Sequence, residues 1–191
     1  LFTPAFDTFE PNPGYIKGYV PGVRENGGQY THGVIWTAFA CAIMGETERA
    51  WEIFDLLNPV NHGSSANDAD IYKVEPYVVV ADVYSAKQHP GRGGWSWYTG
   101  SSAWLYRLLT EMLFGINRRG EKLEFTPRMR KEWDQYTVRY RYYDTVYHII
   151  FKRITDASAP KLVLDNTELT DNRFISLVND QMEHTVEIWV R

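Results

Sequence analysis

Tyr136-Thr137-Val138-Arg139-Tyr140-Arg141-Tyr142 sets large side chains at even positions against Thr and Arg at odd ones. That period of two is what a half-buried strand requires. Asp144-Thr145 then turns the chain into a second strand over residues 146–154. Further strands are expected at 161–164, 174–178 and 185–190, divided by the turn pairs Asp165-Asn166, Asp171-Asn172 and Asn179-Asp180. The C-terminal third therefore reads as antiparallel β, a sandwich-like domain. Arg128, Arg130, Arg139, Arg141 and Arg153 are expected on its solvated faces.

Upstream of Gly115 the period is helical. Ile35, Trp36, Phe39, Ala42 and Ile43 recur at helix spacing over 31–44, and Gly45 ends the run. A second helix follows over 46–57 with Ala50, Ile53, Phe54 and Leu57 on one face. Asn58-Pro59 and 61–67 read as loop. Pro76, tolerated in a first turn, opens an expected third helix over 76–85, and a fourth runs to about 114. The first thirty residues carry Pro4, Pro11, Pro13, Gly14, Gly18, Pro21, Gly22, Gly27 and Gly28, too many breakers for helix or sheet. The fold class is thus α+β, helical over 1–117 and β over 118–191.

Composition narrows the function. The 191 residues carry a formal net charge of −4 and no long basic run, which excludes the electrostatic footprint of a nucleic-acid binder. The 7 Trp and 13 Tyr suit a surface that stacks on apolar faces such as those of sugars. Cys41, the single cysteine, reads as a small core residue and makes no internal disulfide. No apolar run reaches membrane-spanning length and no leader opens the chain, so a cytoplasmic location is expected. Leu1 in place of an initiator Met suggests a piece of a longer chain. The histidines show no metal-ligand spacing with Cys or acidic residues, so no metal is expected.

Two segments concentrate chemistry. In Trp95-Ser96-Trp97-Tyr98-Thr99-Gly100-Ser101-Ser102, Thr or Ser opens a helix whose free N–H groups and dipole attract an anion such as phosphate. Gly100 permits close approach, and Trp97 and Tyr98 offer ring faces to a sugar. The plainer reading is that Ser101 or Ser102 caps the helix and the tryptophans fill the core. In Pro21-Gly22-Val23-Arg24-Glu25-Asn26-Gly27-Gly28-Gln29-Tyr30-Thr31-His32, a cation, a carboxylate, amides, a phenol and an imidazole crowd a loop that ends on a helix. That set suits a polyhydroxylated ligand. The plainer reading is an Arg24–Glu25 ion pair and a structural His32. Glu75, before Pro76, reads by default as a carboxylate favoured at a helix entry.

Taken with Pro13-Gly14-Tyr15-Ile16-Lys17-Gly18-Tyr19, Leu57-Asn58-Pro59-Val60-Asn61-His62, Glu75-Pro76-Tyr77 and Trp97-Tyr98-Thr99-Gly100-Ser101, these segments resemble glycoside hydrolase family 94. The early loop is most similar to the phosphorylase-like C-terminal region of cyclic β-1,2-glucan synthases. The resemblance implies an (α/α)6 barrel closed by a C-terminal β domain, and cleavage of β-glucosidic bonds by phosphate with release of α-sugar 1-phosphate. It implies inorganic phosphate as co-substrate with no further cofactor, and a β-glucan or β-linked oligosaccharide as partner. His32, Thr99 and Gly100 match the family's phosphate-binding positions and Glu25 a sugar-contacting one. Arg24, Asn26, Gln29, Glu75, Trp97 and Tyr98 are nominated as cavity neighbours.

The family's general acid is an aspartate in an earlier Asp-Gly loop, to which no residue here corresponds; Asp7, Asp68, Asp70 and Asp82 are not assigned the role. Four helices are about a third of such a barrel, so a homo-oligomer or docking with the missing part is expected. The reading is thus a C-terminal fragment of an inverting β-glucan phosphorylase or cyclic glucan synthase, and the resemblance implies that a parent synthase would be held at the inner membrane by segments outside these residues. The alternatives are a non-catalytic carbohydrate-binding module and an assembly module.

Overall fold

A computed structural model describes residues 2–7 and 12–191. The chain divides into two compact units, Leu1–Leu108 and Leu109–Arg191. In the first, a 3-10 turn at Gly14–Gly18 precedes β1 (Gln29–Tyr30), α1 (Thr31–Ile43), α2 (Thr47–Leu57), α3 (Pro59–His62), α4 (Ala66–Tyr72), β2 (Asp82–Val83) and α5 (Thr99–Arg107). Pro11 lies outside the described residues.

α1 buries Thr31, Ile35, Ala38 and Ala42, spaced to form one stripe against α2. Trp36, Ile43 and Met44 instead lie on the exposed side, and Cys41 is half-buried rather than in the core. The apolar residues of this helix thus form two faces where the spacing suggested one. α1 ends in a Schellman turn: the Gly45 N–H donates to Ala42 O and the Glu46 N–H to Cys41 O, with Gly45 at φ +86°. α2 then returns with Ala50, Trp51, Ile53 and Leu57 buried.

Two expectations in this unit are corrected. Asn58-Pro59 and residues 61–67 are not all loop, because Asn58 caps α3 by accepting from the Val60 N–H and Ser65 caps α4 by accepting from the Asp68 N–H. α4 escapes a hydrophobic pattern search because it buries only Tyr72. Residues 76–85 form no helix. Val78, Val79 and Val80 are β-branched and all buried, and a short run buried on every side has no period to separate helix from strand. It runs through the interior and ends in β2, which pairs antiparallel with β1.

The boundary between the units falls within a π-helical turn, Leu108–Leu113, of which the second unit holds all but Leu108. The second unit then builds β3 (Ile116–Arg119), β4 (Lys122–Phe125), β5 (Gln135–Tyr142), β6 (Thr145–Arg153), β7 (Lys161–Leu164), β8 (Thr167–Glu168), β9 (Phe174–Ser176) and β10 (Glu183–Val190). β5 alternates exposed and covered as its sequence dictates. The strands form a five-stranded sheet, β5-β6-β10-β7-β8, and a three-stranded sheet, β3-β4-β9. Leu123, Phe125 and Ile175 of the smaller sheet share one core with Tyr147, Ile149, Phe151, Leu162, Val186 and Ile188 of the larger. The chain is therefore α+β.

The larger sheet is mixed rather than antiparallel. β10 enters it from β9 of the other sheet and lies parallel to β6, from Glu183↔Val146 to Val190↔Arg153. Two arginines also depart from the solvated reading. Arg128 Nη1 donates to Met112 O at 2.9 Å, and burial holds its guanidinium below the usual value. Arg153 donates to Trp133 O and Arg130 O. Arg139 and Arg141 are exposed as expected. No helix among the described residues is long and apolar enough to cross a membrane.

Candidate functional site

The starts of α1 and α5 meet. The Tyr30 and Tyr98 hydroxyls, each on the residue preceding a helix, lie 3.2 Å apart. A Cβ built on Gly100 would stand 3.9 Å from His32 Cε1 and touch nothing nearer. Neither helix has a side-chain cap: Tyr30 and Tyr98 occupy the cap positions and accept no bond there. The reading of Ser101 or Ser102 as a cap is thereby corrected, since both lie inside α5. Two helix N-termini thus bring N–H groups and dipole ends into one region without a capping side chain, although in α1 the Thr31 N–H already donates to Ala81 O at 2.9 Å. The Tyr98 partner, with burial and the nearby Glu25 charge adding to it, holds the Tyr30 phenol well above its usual value, so it stays neutral.

Around this point the protein leaves buried polar atoms without partners: His32 Nε2, Thr31 Oγ1, Ser101 Oγ and Glu25 Oε2. Thr31 and Ser101 are 2% and 0% exposed. A buried polar atom without a partner costs about 1–3 kcal/mol, so their occurrence on the segments that meet here points to a ligand that completes them.

The loop that carries Glu25 is held from below. The Arg24 N–H donates to Asp82 Oδ2 at 2.6 Å, with Arg24 at φ +50°. The Arg24 guanidinium lies over the rings of Tyr19 and Trp95, at 5.4 and 5.8 Å from their centroids; the expected alternative of an Arg24–Glu25 ion pair is not formed. Asn26 is fully buried and spends its amide within the loop, accepting from the Phe6 N–H and donating to Tyr19 O. In this conformation it positions the loop and offers no atom to a ligand. Gln29 is half-buried in β1.

Glu75 stands at no helix entry. It accepts from Trp97 Nε1 at 3.3 Å, and Trp97 meets Tyr77 edge-on at 6.3 Å between centroids. Trp97 is held at φ +58° and left 62% exposed, a conformation that costs a bulky residue about 1–3 kcal/mol. Trp95 and Tyr77 are exposed beside it, so these rings form a surface rather than core. On the other side, His32, Trp36 and Trp104 make an edge-on aromatic row, with His32 and Trp36 centroids 4.8 Å apart.

Sequence reasoning found His32, Thr99, Gly100 and Glu25 as neighbours of this region. It missed Thr31, treated Ser101 only as a cap, and left Asp82 without a role. The signal for the first two was present in the adjacency of a hydroxyl to each nominated residue. Nothing in the sequence marks Asp82 as the anchor of a loop 58 residues earlier. Among the described residues no group of three or more His, Cys, Asp or Glu side chains could hold a metal ion.

Residues 1–115 match the profile of the glycosyl hydrolase 94 superfamily, catalytic domain, and the chain belongs to that family. It is 47% identical over 167 residues to the cyclic beta-(1,2)-glucan synthase NdvB of Rhizobium meliloti (strain 1021), covering 87% of this chain and 6% of that protein. It is 30% identical over 174 residues to the N,N'-diacetylchitobiose phosphorylase of Vibrio furnissii, covering 90% of this chain and 21% of that one. To the solabiose phosphorylase of Paenibacillus borealis it is 26% identical over 190 residues, with coverage of 97% and 24%. The chain thus spans between 6% and 24% of the length of these relatives.

Proposed function

We propose that this chain supplies the phosphate and glucosyl contacts of an inverting β-glucan phosphorylase or cyclic β-1,2-glucan synthase. The general acid comes from residues outside it, and its helices form part of an (α/α)6 barrel. The observation that carries the reading is the set of buried partnerless atoms, His32 Nε2, Thr31 Oγ1 and Ser101 Oγ at two uncapped helix starts and Glu25 Oε2 in the loop before β1.

The chemistry follows from charge. A phosphate oxygen attacks the anomeric carbon from the face opposite the leaving oxygen. The glycosidic C–O bond breaks, its electron pair stays on the leaving oxygen, and that oxygen takes a proton from the acid. Because phosphate is the nucleophile, the second carboxylate of a hydrolytic inverting enzyme is not needed. An anion cradle is needed instead, and the Thr99 hydroxyl and the N–H groups at Thr99 and Gly100, with His32, Thr31 and Ser101, are donors of that kind. Glu25 accepts from sugar hydroxyls, while Trp97 and Tyr98 offer ring faces. Asp82, which is buried and bonded to Arg24, and Asp68, which is bonded to Ser65, are committed to structure and do not serve as the acid. The exposed Trp36, Ile43 and Met44 suit cover by further helices, from a second copy or from the rest of a barrel.

A second reading, a carbohydrate-binding module without chemistry, is favoured by the exposed Tyr77, Trp95 and Trp97. The test is calorimetric titration of inorganic phosphate and α-glucose 1-phosphate into the chain and into His32→Ala and Thr99→Val. Both substitutions are expected to weaken phosphate by about tenfold or more. Equal affinity in all three proteins would sink the cradle. Glucan binding that ignores phosphate at this site would favour the module. Phosphate release from α-glucose 1-phosphate with a β-linked acceptor would show that the chain holds its own acid.

A further inference from the structure

The β unit contains a cavity of about 560 Å³ between the β6–β7 connection and the end of β10. Its size falls within the range of small-ligand sites, roughly 300–1,000 Å³. Trp189 forms one wall. The register sets Lys152 of β6 and Lys161 of β7 directly across from Trp189, one on each neighbouring strand. Their ammonium groups stand 4.7 and 5.1 Å from the indole centroid. Lys152 is also paired with Glu187 at 2.7 Å. An ammonium group from each neighbouring strand thus contacts the ring, and these cation–π contacts fix an aromatic wall in place before any ligand arrives. The Trp189 Nε1–H is buried and has no acceptor.

The rest of the lining sets the chemistry. Arg153 and Lys161 are balanced by Asp156 and Glu168, so the cavity carries no net charge. Such a lining does not select an anion. It offers donors and acceptors side by side, next to the apolar surfaces of Trp189 and Pro160. A neutral ring with hydroxyls at its edge and C–H groups on its faces meets both needs at once.

We propose that this cavity of the β unit is a second carbohydrate site, independent of phosphate, that holds a β-linked gluco-oligosaccharide. The choice of sugar rests on the function proposed above; the cavity and its chemistry do not. Lys161 donates to sugar hydroxyls, Glu168 and Asp156 accept from them, and the ring packs against the indole.

The experiment is calorimetric titration of β-1,2-linked and, separately, β-1,4-linked gluco-oligosaccharides into the whole chain with and without phosphate. It is repeated for Trp189→Ala, Glu168→Gln and His32→Ala. Glu168 is exposed on a two-residue strand, so its substitution tests the cavity without threatening the fold. Binding of at least one sugar is expected without phosphate, unchanged in His32→Ala and weakened about tenfold in both cavity variants. Absence of phosphate-independent binding, or binding that Glu168→Gln leaves intact, overturns the proposal. Loss of phosphate binding in none of the variants would count against the α1–α5 reading alone.

Discussion

The Arg24 N–H and the Asp82 carboxylate, 58 residues apart in sequence, meet at 2.6 Å beneath the loop that carries Glu25. Asp82 is 1% exposed, and a Cβ on Gly94 would fall onto its Oδ1, so the carboxylate has no room to turn away. Removing it in Asp82→Ala is expected to cost about 2 kcal/mol, the usual range for a hydrogen bond to a charged group, measured by urea unfolding. The sign with pH is unusual for an acid. Burial, the largest influence, raises Asp82 above its ordinary 3.8, against the opposing bond and charge of Arg24. The folded state therefore takes up this proton at higher pH than the unfolded state, and stability gains as pH falls between the two values. Against Asp82→Asn, the wild type is expected to improve on acidification through that window. A constant difference would contradict it.

Thr31 and Ser101 permit a test in which stability and binding move in opposite directions. Each hides a hydroxyl oxygen with no partner. Replacing it by an apolar group of like shape, Thr31→Val or Ser101→Ala, is expected to leave the phosphate-free protein unchanged or steadier by about 1 kcal/mol. The same substitutions are expected to weaken phosphate several-fold. If they lower stability and leave phosphate affinity alone, the hydroxyls are structural.

The two units differ in how plainly the sequence expresses them. β5 is legible because one face is covered and the other wet, so its side chains alternate, whereas β6, with no exposed residue, is legible from the Asp144-Thr145 turn before it. α1 and α2 are legible as helices, but Trp36 and Ile43 are spaced like core residues and lie in solvent, because a pattern cannot say which of two apolar faces the available neighbours cover. Val78 to Val80 are illegible for the reason given by their burial, the absence of any alternation. The β3–β4 hairpin goes unseen because Asn117, Arg118, Arg119, Glu121 and Lys122 mask its apolar face, of which Leu123 is the buried centre. At the candidate site, the sequence could nominate His32, Thr99 and Gly100 as separate stretches. Their meeting depends on a contact between α1 and α5, which no local pattern encodes.

Gly115 joins the π-helical turn to β3 at φ +66°, and its carbonyl accepts from the Thr126 N–H at 2.7 Å. A Cβ there would collide with the Thr126 and Pro127 backbone, which has no flexible end to yield. Gly115→Ala is expected to cost about 2–3 kcal/mol from strain and overpacking together, read as a lowered midpoint in denaturant. Gly120→Ala, also at positive φ but facing open space, is expected to cost about 1 kcal/mol. Equal losses would show that conformation, not collision, decides at Gly115.

His184 lies stacked on Tyr147, with centroids 5.1 Å apart, and is held at both nitrogens: Nδ1 is 2.6 Å from Asp165 Oδ2 and Nε2 is 3.1 Å from Asp180 Oδ2. Carboxylates only accept, so filling both contacts takes both ring N–H groups, which only the imidazolium has. The Asp165 bond, outweighing burial and joined by Asp180, accordingly raises His184 above its ordinary 6.5. Asp180 is held below 3.8 first by the Met182 N–H and then by Thr145 and His184. Burial pushes Asp165 up, but the His184 and Thr185 bonds outweigh it and leave it low as well. The histidine's contribution is complete below its unfolded value and lost as pH rises through the folded one. That of the carboxylates is complete above their unfolded value and lost as pH falls through theirs. Between about 3.8 and 6.5 all three act together. Because Asp180 also accepts from Thr145, the clamp fastens the β9–β10 loop to the start of β6. The difference in Tm between wild type and His184→Gln is therefore expected to be largest near pH 5 and to shrink steadily above neutrality, and to shrink also in about 1 M salt, which screens such pairs. A difference that stays flat from acid to alkaline pH would mean that His184 contributes through its stacking on Tyr147 and not through its charge.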